Sequence, residues 1–234
     1  MIHFITYGDG PFENARKRIV EEAKNTNWFD TISSYTRETL SEKFRQDYSH
    51  VLRQTRGGGY WIWKFDVLQQ KMDEIPDGDI IVYLDSGCTI NPRGKERFRE
   101  YINMLNDSEE GIISFELNEL EEEYTTKQLL EHFDCGENKP FQYMATVLMM
   151  KKANHVQDIL NMCFDVIQTD WRLITDFYNK TTEQSTQFKD NRHDQSILSL
   201  ARKKKGSLVL SDETWADDFK KLKNFPFWAT RKKK

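Results

Sequence analysis

One aspartate, Asp85, directly follows the most apolar run of the chain, residues 80–84. A continuous apolar run of this length is typical of a central parallel strand that is covered on both faces. Ligands of open parallel sheets bind beyond the carboxyl ends of the strands, so Asp85 is placed to coordinate a divalent cation or to accept hydrogen bonds from a ribose. Gly87 would let a phosphate or a sugar approach closely, since it has no side chain. The alternative is that Asp85 caps a turn or the next helix.

Three different polar side chains, His193, Asp194 and Gln195, stand in a row before a predicted helix. An imidazole, a carboxylate and an amide in this order suit a site that binds a metal and a sugar. The alternative for Asp194 is a plain helix N-cap, a position that aspartate favours. We interpret the other four histidines as structural or surface residues: His3, His50, His132 and His155.

A glycine run at residues 57–59 is flanked by two cations, Arg56 and Lys64. The run lacks the spacing of a P-loop or of a dinucleotide-binding turn, so a hinge is as good an interpretation as a phosphate loop. Either cation could neutralise a diphosphate, and the alternative for each is a surface charge. Of Trp61 and Trp63, we expect one in the core and the other free to stack on a base or a sugar ring.

Short apolar runs alternate with helical patterns along the chain, which predicts an α/β fold with a mostly parallel sheet flanked by helices. The predicted strands are 2–7, 29–33, 80–84, 112–115, 143–150 and 208–210. The predicted helices begin at Pro11, at the capping-box spacing of residues 39–42 (running toward Leu52), at Tyr60, near 94, near 156 and near 197. No repeat or linker is visible, so we expect residues 1–234 to form one domain, which can belong to a larger protein.

The composition limits the function classes. The 234 residues carry 34 basic and 38 acidic side chains, a balance that excludes a protein that coats nucleic acid. Three widely spaced cysteines, Cys88, Cys135 and Cys163, favour a reducing compartment. No signal-like start and no apolar run of membrane-spanning length occur, so we expect a cytoplasmic protein. The basic clusters 203–205 and 231–234 are interpreted as solvated.

Two segments together carry a family resemblance. Residues 59–64 (GYWIWK) followed by 79–88 (DIIVYLDSGC) resemble nucleotide-sugar glycosyltransferases of the GT-A fold, including those of capsule and lipopolysaccharide loci and of large DNA viruses. Residues 142–150 resemble a later strand that lines the acceptor side in retaining enzymes. Residues 193–196 (HDQS) resemble the HDES motif of blood-group transferases and the DQ motif of glycogenin-like transferases. The resemblance covers most of residues 2–200.

The resemblance implies a uridine diphosphate sugar as donor, a glycan hydroxyl as acceptor, retention of configuration, and Mn²⁺ or Mg²⁺ as cofactor. It places Gln195 and Asp194 in catalysis and Asp85 with His193 at the metal. It implies a nucleotide and donor site made of Thr6, Tyr7, Gly8, Ser34, Arg56, Tyr60, Lys64, Asp85, Ser86 and Gly87. It assigns Gln142 and Thr146 to the acceptor side.

Two departures from the family pattern stand out. A full D-x-D motif would have a second carboxylate at position 87, where this chain has Gly87. Residues 226–228 (PFW) match the C-terminal H-x-x-G-x-x-K-P-W motif of the glycogenin group only loosely.

In the expected reaction, the Gln195 amide oxygen supports positive charge at the anomeric carbon and Asp194 orients the donor sugar. If the enzyme inverts, Asp194 is the first candidate for the general base. Two other functions stay open. A sugar nucleotidyltransferase needs cations right after the first strand, and here none precedes Arg16. A non-catalytic carbohydrate-binding module derived from a transferase is favoured by the missing second carboxylate.

Overall fold

The computed structural model describes residues 1–134 and 140–233, so Cys135 and Lys234 lie outside the described residues. The strands in this part of the chain are β1 Ile2–Tyr7, β2 Thr31–Tyr35, β3 Ile80–Leu84, β4 Thr89–Ile90, β5 Ile112–Leu120, β6 Phe141–Tyr143, β7 Val147–Lys151, β8 Leu208–Ser211 and β9 Phe227–Trp228. The helices are α1 Glu13–Thr26, α2 Glu42–Asp47, α3 Ser49–Leu52, the single turn α4 Gly57–Tyr60, α5 Trp63–Glu74, α6 Lys95–Asp107, α7 Glu121–Tyr124, α8 Lys127–Phe133, α9 Asn154–Thr169, α10 Phe177–Thr181 and α11 Asp194–Lys205.

The described residues form a central seven-stranded sheet with the order β2-β1-β3-β7-β5-β6, and β8 pairs with β5. β2, β1, β3, β5 and β8 run in one direction, while β7 and β6 run in the other. Five of these seven strands therefore share a direction, and the predicted mostly parallel α/β sheet is confirmed. β4 and β9 form a separate antiparallel pair.

The apolar run that predicted a central strand does form one. All five residues of β3 are buried, and Val82 lies between Phe4 of β1 and Met149 of β7. Alternate residues of the sheet pack into two cores, as the two-residue period of a strand requires. One core joins the sheet to α5, α9 and α11, and the other joins it to α1 and α6.

The helix predicted from Tyr60 begins later, at Trp63, so Trp61 is not on the apolar face of α5. The five residues 57–61 all have positive φ, between 54° and 103°, and form a left-handed turn. Three of them are glycines, which reach this region without the clash that a Cβ brings. The glycine run was predicted as a loop, and its conformation explains why three glycines occur together.

Two other predicted elements differ from the structure. The helix predicted from residues 39–42 begins at Glu42, the capping box lies instead between Thr36 and Thr39, and the helix is interrupted at Tyr48. The strand predicted over 143–150 is split, because β6 ends at Tyr143 and β7 begins at Val147. Between these strands, both backbone groups of Ala145 and the carbonyl of Met144 bond to side chains of other elements.

Candidate active site

Asp85 lies at the carboxyl end of β3, beside the ends of β1 and β7. Its backbone N–H donates to the Thr146 carbonyl over 2.9 Å. On the other side, the Thr6 hydroxyl donates to the Leu84 carbonyl over 2.7 Å, and the Gly8 N–H donates to the Tyr35 carbonyl over 3.1 Å. The ends of three parallel strands and of the Thr146 turn thus meet at one edge, where ligands of α/β sheets bind.

Lys64, on the first turn of α5, connects the two sequence segments that carry carboxylates. Its Nζ lies 2.5 Å from Asp194 Oδ2 and 3.2 Å from Asp85 Oδ1, and it donates to the Ala145 carbonyl over 3.0 Å. Tyr83 donates its hydroxyl to Asp85 Oδ1 over 2.5 Å. The side chain of Lys64 is 2% exposed whereas that of Asp85 is 28% exposed. The carboxylate therefore reaches the cleft, and the ammonium lies beneath it.

The protonation states in this cluster follow from burial and charge. Burial, together with the nearby Asp85 carboxylate, raises the pKa of Asp194 to about 6, against the opposing effect of Lys64. Burial would lower the pKa of Lys64, but the two carboxylates outweigh it and the pKa is raised. Burial and Asp85 also raise the pKa of Tyr83 far above its ordinary value, so its hydroxyl stays a donor. Near pH 7 the Lys64 ammonium is therefore charged beside an Asp194 carboxyl that is mostly ionised.

The Asp194 side chain serves this ion pair, and the N-cap alternative is wrong. Asp194 is the first residue of α11, and the N-cap position belongs to His193. The helix start carries Gln195 as well, whose Oε1 accepts from the Ala145 N–H over 3.2 Å and whose Nε2 donates to Gln142 Oε1 over 2.8 Å. The interruption between β6 and β7 therefore gives one backbone carbonyl to Lys64 and one N–H to Gln195.

Gln142 lies behind Gln195 and is fully buried. Its Nε2 donates to Glu121 Oε1 over 3.0 Å, and Glu121 in turn pairs with Lys203 at 2.7 Å. The structure thus places Gln142 where it orients the Gln195 amide. Lys203, which the sequence analysis placed on a solvated helix end, is buried, so that interpretation is wrong for this residue. Thr146, the other predicted acceptor residue, is half-buried beside Asp85.

His193 lies in a second, strained cluster. Its φ is 58°, and its ring stacks on Trp61 at 5.5 Å and lies 4.9 Å from Tyr60. Both aromatic residues also have positive φ, which costs about 1–2 kcal/mol for each non-glycine residue. Strain of this kind persists only where the surroundings hold it, and it occurs often at ligand sites. Neither tryptophan is free to stack on a ligand as expected: Trp61 is half-buried and stacked on His193, and Trp63 is buried and stacks on Tyr7 at 3.8 Å.

Ion pairs hold this strained cluster in place. Arg56 donates to Asp176 over 2.9 Å and to Asp190 over 2.5 Å. The Nδ1 of His193 lies 2.9 Å from the Ile174 carbonyl, and its Nε2 lies 3.6 Å from Asp176 Oδ1. Burial and the Arg56 charge lower the pKa of His193 to about 4, although Asp176 opposes the shift. His193 is consequently neutral at pH 7, and Arg56 is already paired with two carboxylates.

The remaining predicted residues line the first strands. Arg16 donates to the Ser34 hydroxyl over 2.9 Å. Ser86 is buried, and its carbonyl accepts from Arg18 over 2.9 Å. A Cβ on Gly8 would come within 3.2 Å of the Ser86 hydroxyl. The predicted donor residues at the ends of β1 and β3 therefore do lie together, and the structure adds two arginines of α1 to them.

The predicted metal ligands do not form a metal centre of the chain's own. Among the described residues, no group of three or more His, Cys, Asp or Glu side chains is arranged to hold a metal ion. The polar neighbours of the His193 ring are Ile174 and Asp176, and the cation nearest to Asp85 is the Lys64 ammonium. A divalent ion at Asp85 would need its other ligands from the donor or from water.

Several groups of the site escaped sequence reasoning. The Ala145 backbone, Tyr83, Glu121, Asp176 and Asp190 carry no motif, and each gains its role only from tertiary contacts. Arg202 is fully buried and donates to the carbonyls of Tyr143 and Met144 over 3.2 and 2.7 Å. These bonds stabilise the interruption between β6 and β7, whose backbone groups bond to Lys64 and Gln195. For Arg202 the sequence did hold one signal, the apolar face of α11. A helix that is buried between other elements also buries the cations of its last turns.

The sheet order, the two layers of helices and the site at the strand ends define the fold of GT-A-type glycosyltransferases. The structure of mouse xyloside xylosyltransferase 1 matches with a TM-score of 0.50 and 10% identity, over 98% of this chain and 97% of that one. A glycosyltransferase involved in glycosylating the major capsid of PBCV-1 matches at 0.48 and 13%, over 97% and 91%. The galactosyltransferase LgtC, solved with donor and acceptor sugar analogues, matches at 0.46 and 14%, over 91% and 74%.

At these sequence identities the likeness shows the fold alone. Of the three TM-scores, only the value of 0.50 for the xylosyltransferase supports that conclusion. No family model and no curated protein matches the chain. Within the described residues, no helix is long and apolar enough to cross a membrane.

Proposed function

We propose that the protein is a glycosyltransferase that moves a hexose or a related sugar from a nucleotide diphosphate sugar to a glycan hydroxyl. The observation that carries the proposal is the cluster of Lys64, Asp85, Asp194 and Gln195 at the carboxyl edge of the sheet. Such an edge binds nucleotides in open α/β sheets. The GT-A-type fold supports the same conclusion, and a uridine diphosphate sugar is the donor we propose.

The carboxylates are suited to hold the donor sugar. Asp85 is partly exposed. Tyr83 and Lys64 both contact its Oδ1, so Oδ2 is the oxygen that is left for a ligand. The free oxygen can accept hydrogen bonds from ribose or sugar hydroxyls. Asp194 is more deeply buried and is held by Lys64, which fixes its position at the floor of the site.

In the reaction, the bond between the anomeric carbon and the diphosphate oxygen breaks, and a bond from the acceptor oxygen to that carbon forms. We propose retention, in which the departing diphosphate oxygen takes the proton of the acceptor hydroxyl, so no separate base is required. Positive charge develops on the sugar ring, and the Gln195 amide oxygen supports it electrostatically; the amide is fixed because its Oε1 accepts from the Ala145 N–H and its Nε2 donates to Gln142.

No step of this reaction runs through a metal, because the residues do not fit a metal centre of their own. A Mn²⁺ or Mg²⁺ ion carried in with the donor stays a prediction, with the diphosphate as the source of its further oxygen ligands. The cytoplasmic location also stays a prediction. It is supported by the free, buried thiols of Cys88 and Cys163.

Calorimetric titration tests the proposal. Uridine diphosphate and a panel of nucleotide-sugars are titrated with Mn²⁺ and with a chelator. We expect a uridine compound to bind, and Asp85→Asn to weaken its binding at least about tenfold, or 1.4 kcal/mol. If no nucleotide or nucleotide-sugar binds under either condition, the transferase proposal fails and a carbohydrate-binding module becomes the better account.

A further inference from the structure

A basic segment, defined here as Arg231, Lys232 and Lys233, crosses the strand-end turn that carries Asp85. The Lys232 N–H donates to the Gly87 carbonyl over 2.9 Å, and the Thr230 hydroxyl donates to the same carbonyl over 2.9 Å. The Thr230 and Thr89 hydroxyls are also 2.9 Å apart. The pairing of β9 with β4 brings the chain to this position, so the segment is fixed by a strand as well as by hydrogen bonds.

The segment explains why position 87 is a glycine. A Cβ on Gly87 would lie 3.2 Å from Arg231 Cα and 3.3 Å from the Lys232 carbonyl oxygen. Both neighbours are backbone atoms, and a backbone can yield only if the whole segment moves. A side chain at this position therefore requires the backbone of residues 231–232 to shift by a few tenths of an ångström. Arg231 itself has a φ of 54°, which an ordinary residue adopts at a cost.

The three side chains of the basic segment are charged and are available to a ligand. Arg231, Lys232 and Lys233 are exposed, and within the described residues none of them forms an ion pair. On the opposite side of the same turn, Arg18 donates to the carbonyls of Ser86 and Cys88 over 2.9 and 2.8 Å. The turn after β3 thus has cationic groups on two sides, and it carries a glycine at position 87.

We infer that the basic segment binds the diphosphate of the donor, and that its cations compensate the diphosphate charge in place of the metal ion that the family resemblance implies. This inference rests on the proposed function. Guanidinium and ammonium groups form short, charge-assisted hydrogen bonds to phosphate oxygens. Their charge stabilises the negative charge that grows on the diphosphate as the bond to the sugar breaks. The cation is thus supplied by the chain, at the position that a second carboxylate would need for a metal.

Calorimetry with UDP and UMP as probes, in a chelator, tests the inference. The variant is Arg231→Gln, Lys232→Gln and Lys233→Gln together. We expect the wild-type protein to bind UDP without metal, and the triple variant to bind it at least about tenfold more weakly. The loss should be larger for UDP than for UMP, since only UDP has the second phosphate.

A matched control removes the same number of charges elsewhere. Lys220, Lys221 and Lys223 are exposed and precede β9, and their combined change to Gln should leave UDP binding unchanged. A second variant, Gly87→Asp, should weaken metal-free UDP binding because its Cβ displaces the segment. Unchanged UDP binding in the triple variant would overturn the inference while leaving the transferase intact, as would UDP binding that requires Mn²⁺. Failure of every nucleotide to bind would overturn both.

Discussion

At the scale of single residues, Lys64 has the largest share in organising the site. It is buried, and it is the only group that touches Asp85, Asp194 and the Ala145 carbonyl among the contacts of the described residues. These three groups come from β3, α11 and the turn before β7. A buried ion pair adds little to stability compared with apolar residues, but removal of one partner leaves an uncompensated charge that is costly.

We therefore predict that Lys64→Met lowers the free energy of unfolding by about 3–5 kcal/mol, because two carboxylates remain without their cation. The double variant Lys64→Met with Asp194→Asn should recover part of this loss, since one of the two charges is removed as well. Urea unfolding measures both. Lys43→Met, at an exposed pair with Asp47, serves as the control and should stay near wild type. Additive losses in the double variant would contradict the coupling.

Gln195 gives the second prediction at this scale. Gln195→Ala removes the amide oxygen that we place against the developing positive charge, so kcat should fall at least about tenfold, a barrier increase of 1.4 kcal/mol. KM for the donor should change less, because the contact strengthens in the transition state. Steady-state kinetics on this variant and on Gln46→Ala, an exposed glutamine of α2, separates the two effects. A rise in KM alone would assign Gln195 to binding.

At the scale of elements, the left-handed turn of residues 57–61 connects the start of α5 to the His193 cluster. Its aromatic residues contact His193, and Trp63 donates its indole N–H to the Gly57 carbonyl over 3.0 Å. The turn holds the helix that carries Lys64 and the helix that carries Asp194 in a fixed relation. Its glycines differ in what surrounds them.

Gly59→Ala should destabilise the protein more than Gly58→Ala. A Cβ at Gly59 would lie 2.7 Å from Leu52 Cα, whereas at Gly58 the nearest atom is 3.8 Å away. Gly58→Ala should cost about 1–2 kcal/mol, the penalty for a left-handed residue with a side chain. Thermal unfolding measures both, with Gly78→Ala as a control, because its φ is 87° and nothing lies within 4 Å. Equal losses at the two glycines would mean that the turn is not packed against α3 as described.

The His193 cluster predicts a pH dependence of stability. The pKa of His193 is lowered in the folded protein to about 4, while an ordinary histidine titrates near 6.5. The unfolded chain therefore takes up this proton first, so the contribution of His193 to the free energy of unfolding falls as the pH drops from 6.5 toward 4, while Asp194, whose pKa is raised in the folded protein, acts in the opposite sense. The loss should approach about 3 kcal/mol at its limit. Urea unfolding of wild type and His193→Gln across this range measures it, and the same pH dependence in both proteins would refute the assignment.

At the scale of the whole molecule, the alternation of strands and helices and the apolar run at residues 80–84 were sufficient to predict the sheet and the edge where Asp85 lies. Local patterns could do this because burial on two faces leaves a clear trace in the sequence. The resemblance at residues 59–64, 79–88 and 193–196 likewise predicted segments that the structure brings to one edge.

The rest could not be predicted because it depends on contacts between distant residues. Gly87 was interpreted as a lost carboxylate, and only the path of residues 230–232 shows what takes its place. The basic cluster 231–234 was interpreted as solvated, yet the backbone of residues 231–232 packs on the Asp85 turn, while the side chains of residues 231–233 are exposed. No sequence pattern indicates that the backbone groups of Ala145 bond to Lys64 and Gln195.

The most direct test of the central claim is turnover of the donor itself. Purified protein is incubated with UDP-sugars, without acceptor and with a panel of glycans, and the release of UDP is followed. We predict slow release with water, faster release with one class of glycan, and at least about a hundredfold loss in Asp85→Asn. A protein that binds glycans but releases no UDP from any donor, in the presence or absence of Mn²⁺, would contradict the account and identify a carbohydrate-binding module.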